Sequence, residues 1–321
     1  MAINSNVHAE PTPIAGIRYV YPAEGARLTR IEGSLPLDCA GIPVPITEGD
    51  VDAVSGSSFP YDVVGRGLYQ ALRTNPECTY ANRYARLLKE SYPHYVSELA
   101  SEIVMLDRKD VEVPYLDRKV NYLKIFAHIE PENHQIPRAI GMTLLDKGLR
   151  LSALHLTTVT VFRAETFLRR SLSLAPDDVS ARHHLGEVCY LIGKYDEAID
   201  CWRSICEELS VPEQERLERR IKGVEEGSIP RVPPIDYLQA VGVALECQQR
   251  GEDEDAAAIL RDILDDDHFC REFPFPELYY LLALSCERLG TPRLAVQYLT
   301  EALRLNPDYE EARDAMTRLG A

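Results

Sequence analysis

The sequence has no long apolar run and no excess of positive charge. A bilayer span needs roughly 20 predominantly apolar residues, and the most apolar stretch, residues 149–162, is interrupted by Arg150, Ser152 and His155. The 35 Lys and Arg residues are outnumbered by 51 Asp and Glu residues, which gives a net charge of −16. We therefore expect no membrane insertion and no binding to nucleic acid through its phosphates.

Cysteine is also sparse for the length of the chain, with eight residues in 321. This is too few for the disulfide framework of a small secreted domain. The first eight residues have neither the basic nor the apolar segment of a secretory signal. Both features favour a cytoplasmic, reducing location. Hydrophobic residues make up 45% and charged residues 27%, which is the composition of a globular protein.

One signature occurs four times in the later part of the sequence. An apolar residue is followed by a small one, and a glycine comes eight positions after the apolar residue: Ile140-Gly141 to Gly148, Leu185-Gly186 to Gly193, Val243-Ala244 to Gly251, and Leu282-Ala283 to Gly290. In three copies an alanine and then a large apolar residue follow at fixed offsets: Ala198 with Trp202, Ala256 with Leu260, and Ala295 with Leu299. These offsets predict pairs of antiparallel helices that approach closely and are joined by a tight turn.

The pattern resembles the tetratricopeptide repeat, a 34-residue helical hairpin that stacks into a superhelix. Residues 185–202 are similar to the family consensus throughout, and residues 301–307 end the last copy as the family does. The resemblance covers about residues 135–321. It implies an all-α fold, an α–α superhelix or solenoid, preceded by an irregular N-terminal arm.

Departures from the 34-residue spacing predict additional structure. Ala198 and Ala256 lie 58 residues apart, and within the extra sequence Leu217 and Ile221 share one face of a charged helix. The segment after Gly148 is also long, which predicts a lengthened second helix in the first hairpin. The predicted organisation is an irregular arm at 1–60, degenerate helical hairpins at 61–131, repeats one and two at 132–210, an inserted helix and linker at 211–233, repeats three and four at 234–307, and a capping helix at 308–321.

In the family's register, the first helix of each hairpin lines a concave groove. Carried over position by position, the predicted groove residues are Arg138, Met142, His183, Glu187, Tyr190, Val241, Leu245, Gln248, Tyr280, Leu284 and Glu287. This lining is mostly apolar and aromatic, and it lacks the Lys and Asn with which some members hold a C-terminal carboxylate. The resemblance implies a protein-binding adaptor that takes a partner helix or an extended apolar peptide, with Tyr190 and Tyr280 as anchors.

Other functional readings stay open at this point. Residues 1–60 carry many apolar side chains, so the arm itself is an alternative occupant of the groove. A second class of function is an enzyme or small-molecule binder with a pocket between the arm and the solenoid. Self-association through exposed apolar surface is compatible with either class.

No residue pattern indicates catalysis, a cofactor or a metal. The residues nearest to a zinc set are His183, His184, Cys189, Cys201 and Cys206. Cys201 and Cys206, however, are five positions apart on a helix and point in different directions, unlike the paired ligands of structural zinc sites. We therefore predict no catalytic residue, no metal ligand and no cofactor.

Overall fold

The computed structural model describes residues 9–23, 25–30, 33–36, 42–54, 57–107 and 112–320. The chain divides into two compact units, Met1–Ile140 and Gly141–Ala321. Most of the described residues are helical, which confirms the predicted all-α class. No helix in these ranges is long and apolar enough to cross a membrane.

The N-terminal unit begins with five short strands that the sequence analysis did not predict: β1 (Ile17–Val20), β2 (Arg27–Arg30), β3 (Gly33–Pro36), β4 (Val44–Thr47) and β5 (Ser58–Pro60). β1 pairs with β4 in antiparallel orientation, and β2 lies between antiparallel β3 and parallel β5. Each strand has only three or four residues, which is too short for a period of two to stand out in the sequence. The described part of the predicted arm therefore contains short paired strands.

Four helices follow within the segment predicted to be helical: α1 (Tyr61–Thr74), α2 (Ala81–Ser91), α3 (Pro93–Asp107) and α4 (Val113–Ile129). α1 packs so closely on β4 that a Cβ atom on Gly67 would lie 1.8 Å from the carbonyl oxygen of Pro45. Ile46 and Phe59 are fully buried in the core that the strands share with these helices. The apolar side chains of the described part of the arm thus have a core within their own unit.

α5 (Gln135–Gly148) runs across the division between the units. The C-terminal unit continues with a 3₁₀ helix at Leu151–Leu156 and then α6 (Thr157–Leu174), α7 (Val179–Leu191), α8 (Tyr195–Arg203), α9 (Val211–Glu225), α10 (Pro234–Arg250), α11 (Asp253–Leu264), α12 (Asp267–Glu272), α13 (Pro276–Arg288), α14 (Pro292–Leu305) and α15 (Glu310–Arg318). α9 lies within residues 211–233, for which an inserted helix and linker were predicted, and α15 lies within residues 308–321, for which a capping helix was predicted.

Three of the four predicted turns are present, in the hairpins α7–α8, α10–α11 and α13–α14. Gly193, Gly251 and Gly290 adopt φ values of 79°, 78° and 73°, a left-handed conformation that favours glycine. Gly148 is not among the glycines of positive φ. The first predicted turn is corrected, because the chain continues from Gly148 towards the 3₁₀ helix instead of reversing directly into α6.

The extra sequence after Gly148 packs on α10. A Cβ atom on Gly242 would lie 2.5 Å from the backbone nitrogen of His155, so only glycine permits this approach. The side-chain amide of Gln239 donates a hydrogen bond of 2.9 Å to the His155 carbonyl. α10 therefore packs against the 3₁₀ helix and α6, while α8 packs against the inserted helix α9.

Candidate functional site

The predicted groove residues lie on α5, α7, α10 and α13, the first helices of the hairpins. Arg138 falls in the N-terminal unit and the other ten in the C-terminal unit. Tyr190, Val241 and Gln248 are buried, with exposed fractions of 1%, 1% and 8%. The others are partly exposed: Arg138, Met142, His183, Glu187, Leu245, Tyr280, Leu284 and Glu287. The prediction of a groove lined by all of them is corrected, because the three buried side chains offer almost no surface to a partner.

Arg220 of α9, which the sequence analysis did not select, covers Tyr190. Its guanidinium carbon lies 4.2 Å from the ring centroid of Tyr190 and 4.8 Å from that of Trp202. One terminal nitrogen is 2.6 Å from a carboxylate oxygen of Glu187, and the other is 2.8 Å from one of Glu272. We call these five residues the Arg220 cluster. A single cation in it joins α9 to carboxylates on α7 and α12 and to two aromatic rings.

The charges in the Arg220 cluster reinforce one another. Burial lowers the pKa of the Arg220 guanidinium, but the negative charges of Glu187 and Glu272 raise it by more. The pKa of Arg220 is therefore raised overall. The hydroxyl of Tyr190 donates a hydrogen bond to the carboxylate of Glu272. Burial and this hydrogen bond raise the pKa of Tyr190 well above its usual value. Tyr190 is therefore a neutral, internally bonded side chain, which corrects its prediction as a partner anchor.

Three buried side-chain atoms of the described residues have no hydrogen-bond partner: Arg220 Nε, Trp202 Nε1 and Tyr195 Oη. All three lie in or beside the Arg220 cluster, since the ring of Tyr195 is 5.3 Å from that of Tyr190. A buried donor without an acceptor costs free energy. Packing and charge, more than a complete hydrogen-bond network, therefore hold α9 against α7.

An open cleft of about 520 Å³ lies beside this contact, between α7 and α9; we call it the α7–α9 cleft. Its lining residues are Val179, Ser180, His183, His184, Glu187, Leu209, Glu213, Arg216, Leu217 and Arg220. Two predicted groove residues, His183 and Glu187, therefore border an accessible volume. The lining combines apolar, charged and imidazole side chains.

The polar groups of the cleft present both donors and acceptors. Nδ1 of His184 donates to the carbonyl of Ser180 at 2.7 Å, which leaves Nε2 of a neutral ring as an acceptor. Burial lowers the pKa of His183 below its usual value, so this ring is neutral at pH 7. Arg216 is exposed and forms no ion pair with any described residue. Such groups match the carbonyls and amides of a peptide main chain.

The α10 groove positions serve the contact between α10 and α13. The side-chain amide nitrogen of Gln248 donates to the carbonyl of Leu281 and to the hydroxyl of Ser285, both at 2.7 Å. Val241 is buried with its neighbour Leu238 on the same helix. Val241 and Gln248 thus stabilise the unit and provide little of its surface, whereas Leu245 of α10 is partly exposed.

The α13 groove positions are engaged by the last helix. The ring of Tyr280 lies 5.2 Å from that of Tyr309, which immediately precedes α15. Glu287 forms an ion pair of 2.8 Å with Arg318 of α15. Both side chains remain partly exposed.

One group of three potential metal ligands occurs in the described residues. The ligand atoms of Glu165, Cys189 and Glu197 lie within 4.8 Å of one another. Arg169 is 2.7 Å from a carboxylate oxygen of each glutamate, and Lys194 is 2.7 Å from Glu165. Burial raises the pKa of the Cys189 thiol to about 12, which keeps it protonated at neutral pH. An ion-pair network accounts for this group without a metal.

Comparison with known proteins agrees with the helical hairpins. Residues 276–319, which contain α13, α14 and α15, match the family model described as tetratricopeptide repeat. No curated protein matches the sequence.

Three solved structures are among those that the chain matches. The crystal structure of MamA protein is 16% identical over 66% of this chain and 94% of its own, with a TM-score of 0.26. The P58(IPK) TPR domain is 13% identical over 81% of this chain and 64% of its own, with a TM-score of 0.35. A tetratricopeptide repeat protein from Parabacteroides merdae is 14% identical over 85% of this chain and 95% of its own, with a TM-score of 0.27.

The match at residues 276–319 and the hairpins with left-handed turn glycines confirm the resemblance first drawn from the sequence. Residues 276–319 are thus similar to a tetratricopeptide repeat, and α7–α8 and α10–α11 form hairpins with the same left-handed turn glycine.

Proposed function

We propose that this protein is an adaptor that binds a segment of a partner protein in the α7–α9 cleft and has no catalytic activity of its own. The tetratricopeptide-repeat fold supports a role in protein–protein interaction. The observation that carries the proposal is the cleft itself. It opens on the face of α7 that the repeat register assigns to ligand, and it is bordered by His183 and Glu187.

The size and lining of the cleft favour a peptide segment. Its volume of about 520 Å³ falls within the range of about 300–1,000 Å³ that is usual for ligand sites. Val179, Leu209 and Leu217 supply apolar surface for a side chain. The imidazoles of His183 and His184 and the guanidinium of Arg216 supply hydrogen-bonding groups for a main chain. An extended segment with alternating apolar and polar groups fits this lining better than a wholly apolar helix.

Affinity capture with matched variants tests the proposal. The full-length chain and its His183→Ala, Arg216→Glu double variant are immobilised, and the proteins retained from an extract of the source cells are quantified by mass spectrometry. Arg219→Glu is the matched control, because Arg219 is an exposed residue of α9 outside the lining of the cleft. We expect a stoichiometric partner that is retained by the wild type and the control and is lost by the double variant.

A second measurement keeps the result interpretable. Thermal unfolding followed by the fluorescence of Trp202, the single tryptophan, shows whether each variant is folded. If the folded double variant retains the same partner as the wild type, the cleft is not the binding site. The same conclusion follows if the Arg219→Glu control loses the partner as fully as the double variant does.

A further inference from the structure

A second, apolar pocket lies in the C-terminal unit between the 3₁₀ helix, α10 and α13. Its volume is about 230 Å³, and it is lined by Leu149, Arg150, Leu151, Leu154, Leu238, Val241, Phe275, Glu277 and Leu278. The deepest side chains, Leu154, Leu238, Val241 and Leu278, are at most 4% exposed. Leu151 is 38% exposed at its rim. We call this cavity the apolar pocket.

The volume of the apolar pocket suits one or two side chains. An apolar cavity of about 150 Å³ accepts a benzene-sized group, whereas sites for cofactors and larger ligands usually exceed about 300 Å³. Seven of its nine lining residues are apolar. A leucine, isoleucine or phenylalanine side chain that enters from solvent would exchange water contact for this lining, which is favourable.

The two charged residues of the apolar pocket are not equivalent. Arg150 forms a two-point interaction with Asp146, at 3.1 Å and 3.2 Å, so its charge is compensated within the chain. Glu277 is partly buried and forms no hydrogen bond or ion pair through its carboxylate with any described residue. It lies in the first turn of α13, where the helix dipole stabilises a negative charge. The rim therefore presents one uncompensated carboxylate.

The charge of the whole unit has the same sign as this carboxylate. Residues 141–321 contain 21 Lys and Arg against 33 Asp and Glu, so −12 of the total charge of −16 falls in the C-terminal unit. A field of this sign attracts cationic partners and repels acidic ones during encounter. Charge complementarity therefore selects a basic occupant for the apolar pocket.

We propose that the apolar pocket binds a hydrophobic side chain of a basic peptide segment, and that Glu277 pairs with a lysine or arginine next to that side chain. The apolar pocket and the α7–α9 cleft have no lining residue in common. Binding at the two places can thus be tested independently. The lining from the 3₁₀ helix follows from the lengthened segment after Gly148, which departs from the regular repeat spacing.

Fluorescence anisotropy with defined peptides tests this proposal on the full-length chain. Three labelled probes are compared: Lys-Leu-Lys-Leu-Lys, its counterpart with serine in place of leucine, and its counterpart with glutamate in place of lysine. We expect the lysine–leucine probe to bind more tightly than both counterparts. Glu277→Gln should weaken its binding about tenfold, because a charge-assisted hydrogen bond is lost. Leu151→Ser should weaken it by a smaller factor.

Two controls separate this site from others. Glu254→Gln removes a negative charge from an exposed position of α11 outside the lining of the apolar pocket, and we expect it to leave probe binding unchanged. The His183→Ala, Arg216→Glu variant should also bind the probe normally, whatever the α7–α9 cleft binds. Equal binding of the lysine–serine or glutamate–leucine probe would overturn the proposal. So would normal binding by folded Glu277→Gln, or loss of binding in the cleft variant.

Discussion

Two regions of the C-terminal unit, α7–α9 and α13–α15, are built on the same plan and differ in burial. In each, a hairpin is followed by a helix that packs on it, and an arginine of that helix pairs with a glutamate of the first helix. Arg220 pairs with Glu187 in one region, and Arg318 pairs with Glu287 in the other. The inserted helix α9 packs on α8, and α15 packs on α14.

The surroundings of the two arginines differ. The side chain of Arg220 is 24% exposed and lies over two aromatic rings, whereas that of Arg318 is 53% exposed. Tyr190 is consequently buried, while Glu287 at the corresponding repeat position, five residues after Leu282, keeps part of its surface. The comparison teaches that a repeat position does not fix the role of a residue. What packs on that position decides whether the side chain faces a partner or the interior.

The largest expected effect is the difference in stability lost when Arg220 or Arg318 is replaced by alanine. Arg220→Ala should destabilise the C-terminal unit by about 3–5 kcal/mol, because Glu187 and Glu272 are left without their common cation. Arg318→Ala should have little effect, since an exposed pair is weak and screened by salt. Urea unfolding followed by Trp202 fluorescence measures both, and this probe reports the C-terminal unit because Trp202 is the single tryptophan.

The matched variant Arg220→Lys sharpens this test. Lysine keeps the charge but not the planar fork that spans two carboxylates, so an intermediate loss of stability is expected. Equal effects of Arg220→Ala and Arg318→Ala would show that burial does not distinguish the regions.

A second prediction concerns the small residue of each first helix. A Cβ atom on Gly186 would lie 2.3 Å from Nε1 of Trp202, so Gly186→Ala should cost about 1–3 kcal/mol through overpacking. The corresponding residue of α13 is Ala283, which already carries a Cβ atom. The control is Gly223→Ala in α9, whose nearest neighbouring atom would be 3.9 Å away and which should gain about 0.5–1 kcal/mol from helix propensity. Urea unfolding followed by Trp202 fluorescence measures the stability of both variants. If Gly186→Ala is neutral or stabilising, the close approach of Gly186 to Trp202 is contradicted.

The smallest expected effect is a pH dependence in the support of the Arg220 cluster. Asp266 caps α12, the helix that carries Glu272, by accepting hydrogen bonds from the backbone of His268 and Phe269. Burial acts against its charge, but hydrogen bonds from Arg231, Phe269, Tyr237 and His268 outweigh burial and lower the pKa of Asp266. A lowered pKa in the folded state means that the carboxylate stabilises the fold above its unfolded pKa of about 3.9, and that this contribution disappears as the pH falls through the folded value.

Asp266→Asn tests this directly. At neutral pH its Tm should lie below that of the wild type, and the difference should shrink as the pH is lowered from about 5 towards 3. Asp265→Asn, at the exposed neighbouring position, is the control and should follow the wild type. A difference in Tm that stays constant with pH would show that the Asp266 carboxylate does not contribute through its charge.

Much of the C-terminal unit was predictable from local spacing. Gly193, Gly251 and Gly290 marked turns because a left-handed φ favours glycine, and the helices containing Ala198, Ala256 and Ala295 followed from the same offsets. The face shared by Leu217 and Ile221 predicted α9, and both residues are buried. The short strands of the N-terminal unit were missed because three or four residues carry no clear periodicity.

The candidate site was less predictable, because its residues come from separate elements. Arg220 lies between Leu217 and Ile221 near the apolar face of α9, and that placement was the available signal that it turns inward. Nothing in the local sequence connected it with Glu272, which lies 52 positions later in the unusually long link before α13. The predicted residues His183 and Glu187 do border the cleft, whereas Tyr190, Val241 and Gln248 are internal.

The sequence alone determined the helical hairpins of the C-terminal unit, because a turn needs a glycine of positive φ and closely packed helices need small residues at fixed offsets. These requirements act within about twenty neighbouring residues, so they can be recognised in a short stretch of sequence. Only the tertiary structure decided which part of the repeat face stays open, through the ion pair between Arg220 of α9 and Glu187 of α7 and the packing of the 3₁₀ helix on α10. That outcome depends on contacts between distant segments, such as Arg220 with Glu272 and Gly242 with His155, and no local pattern encodes them.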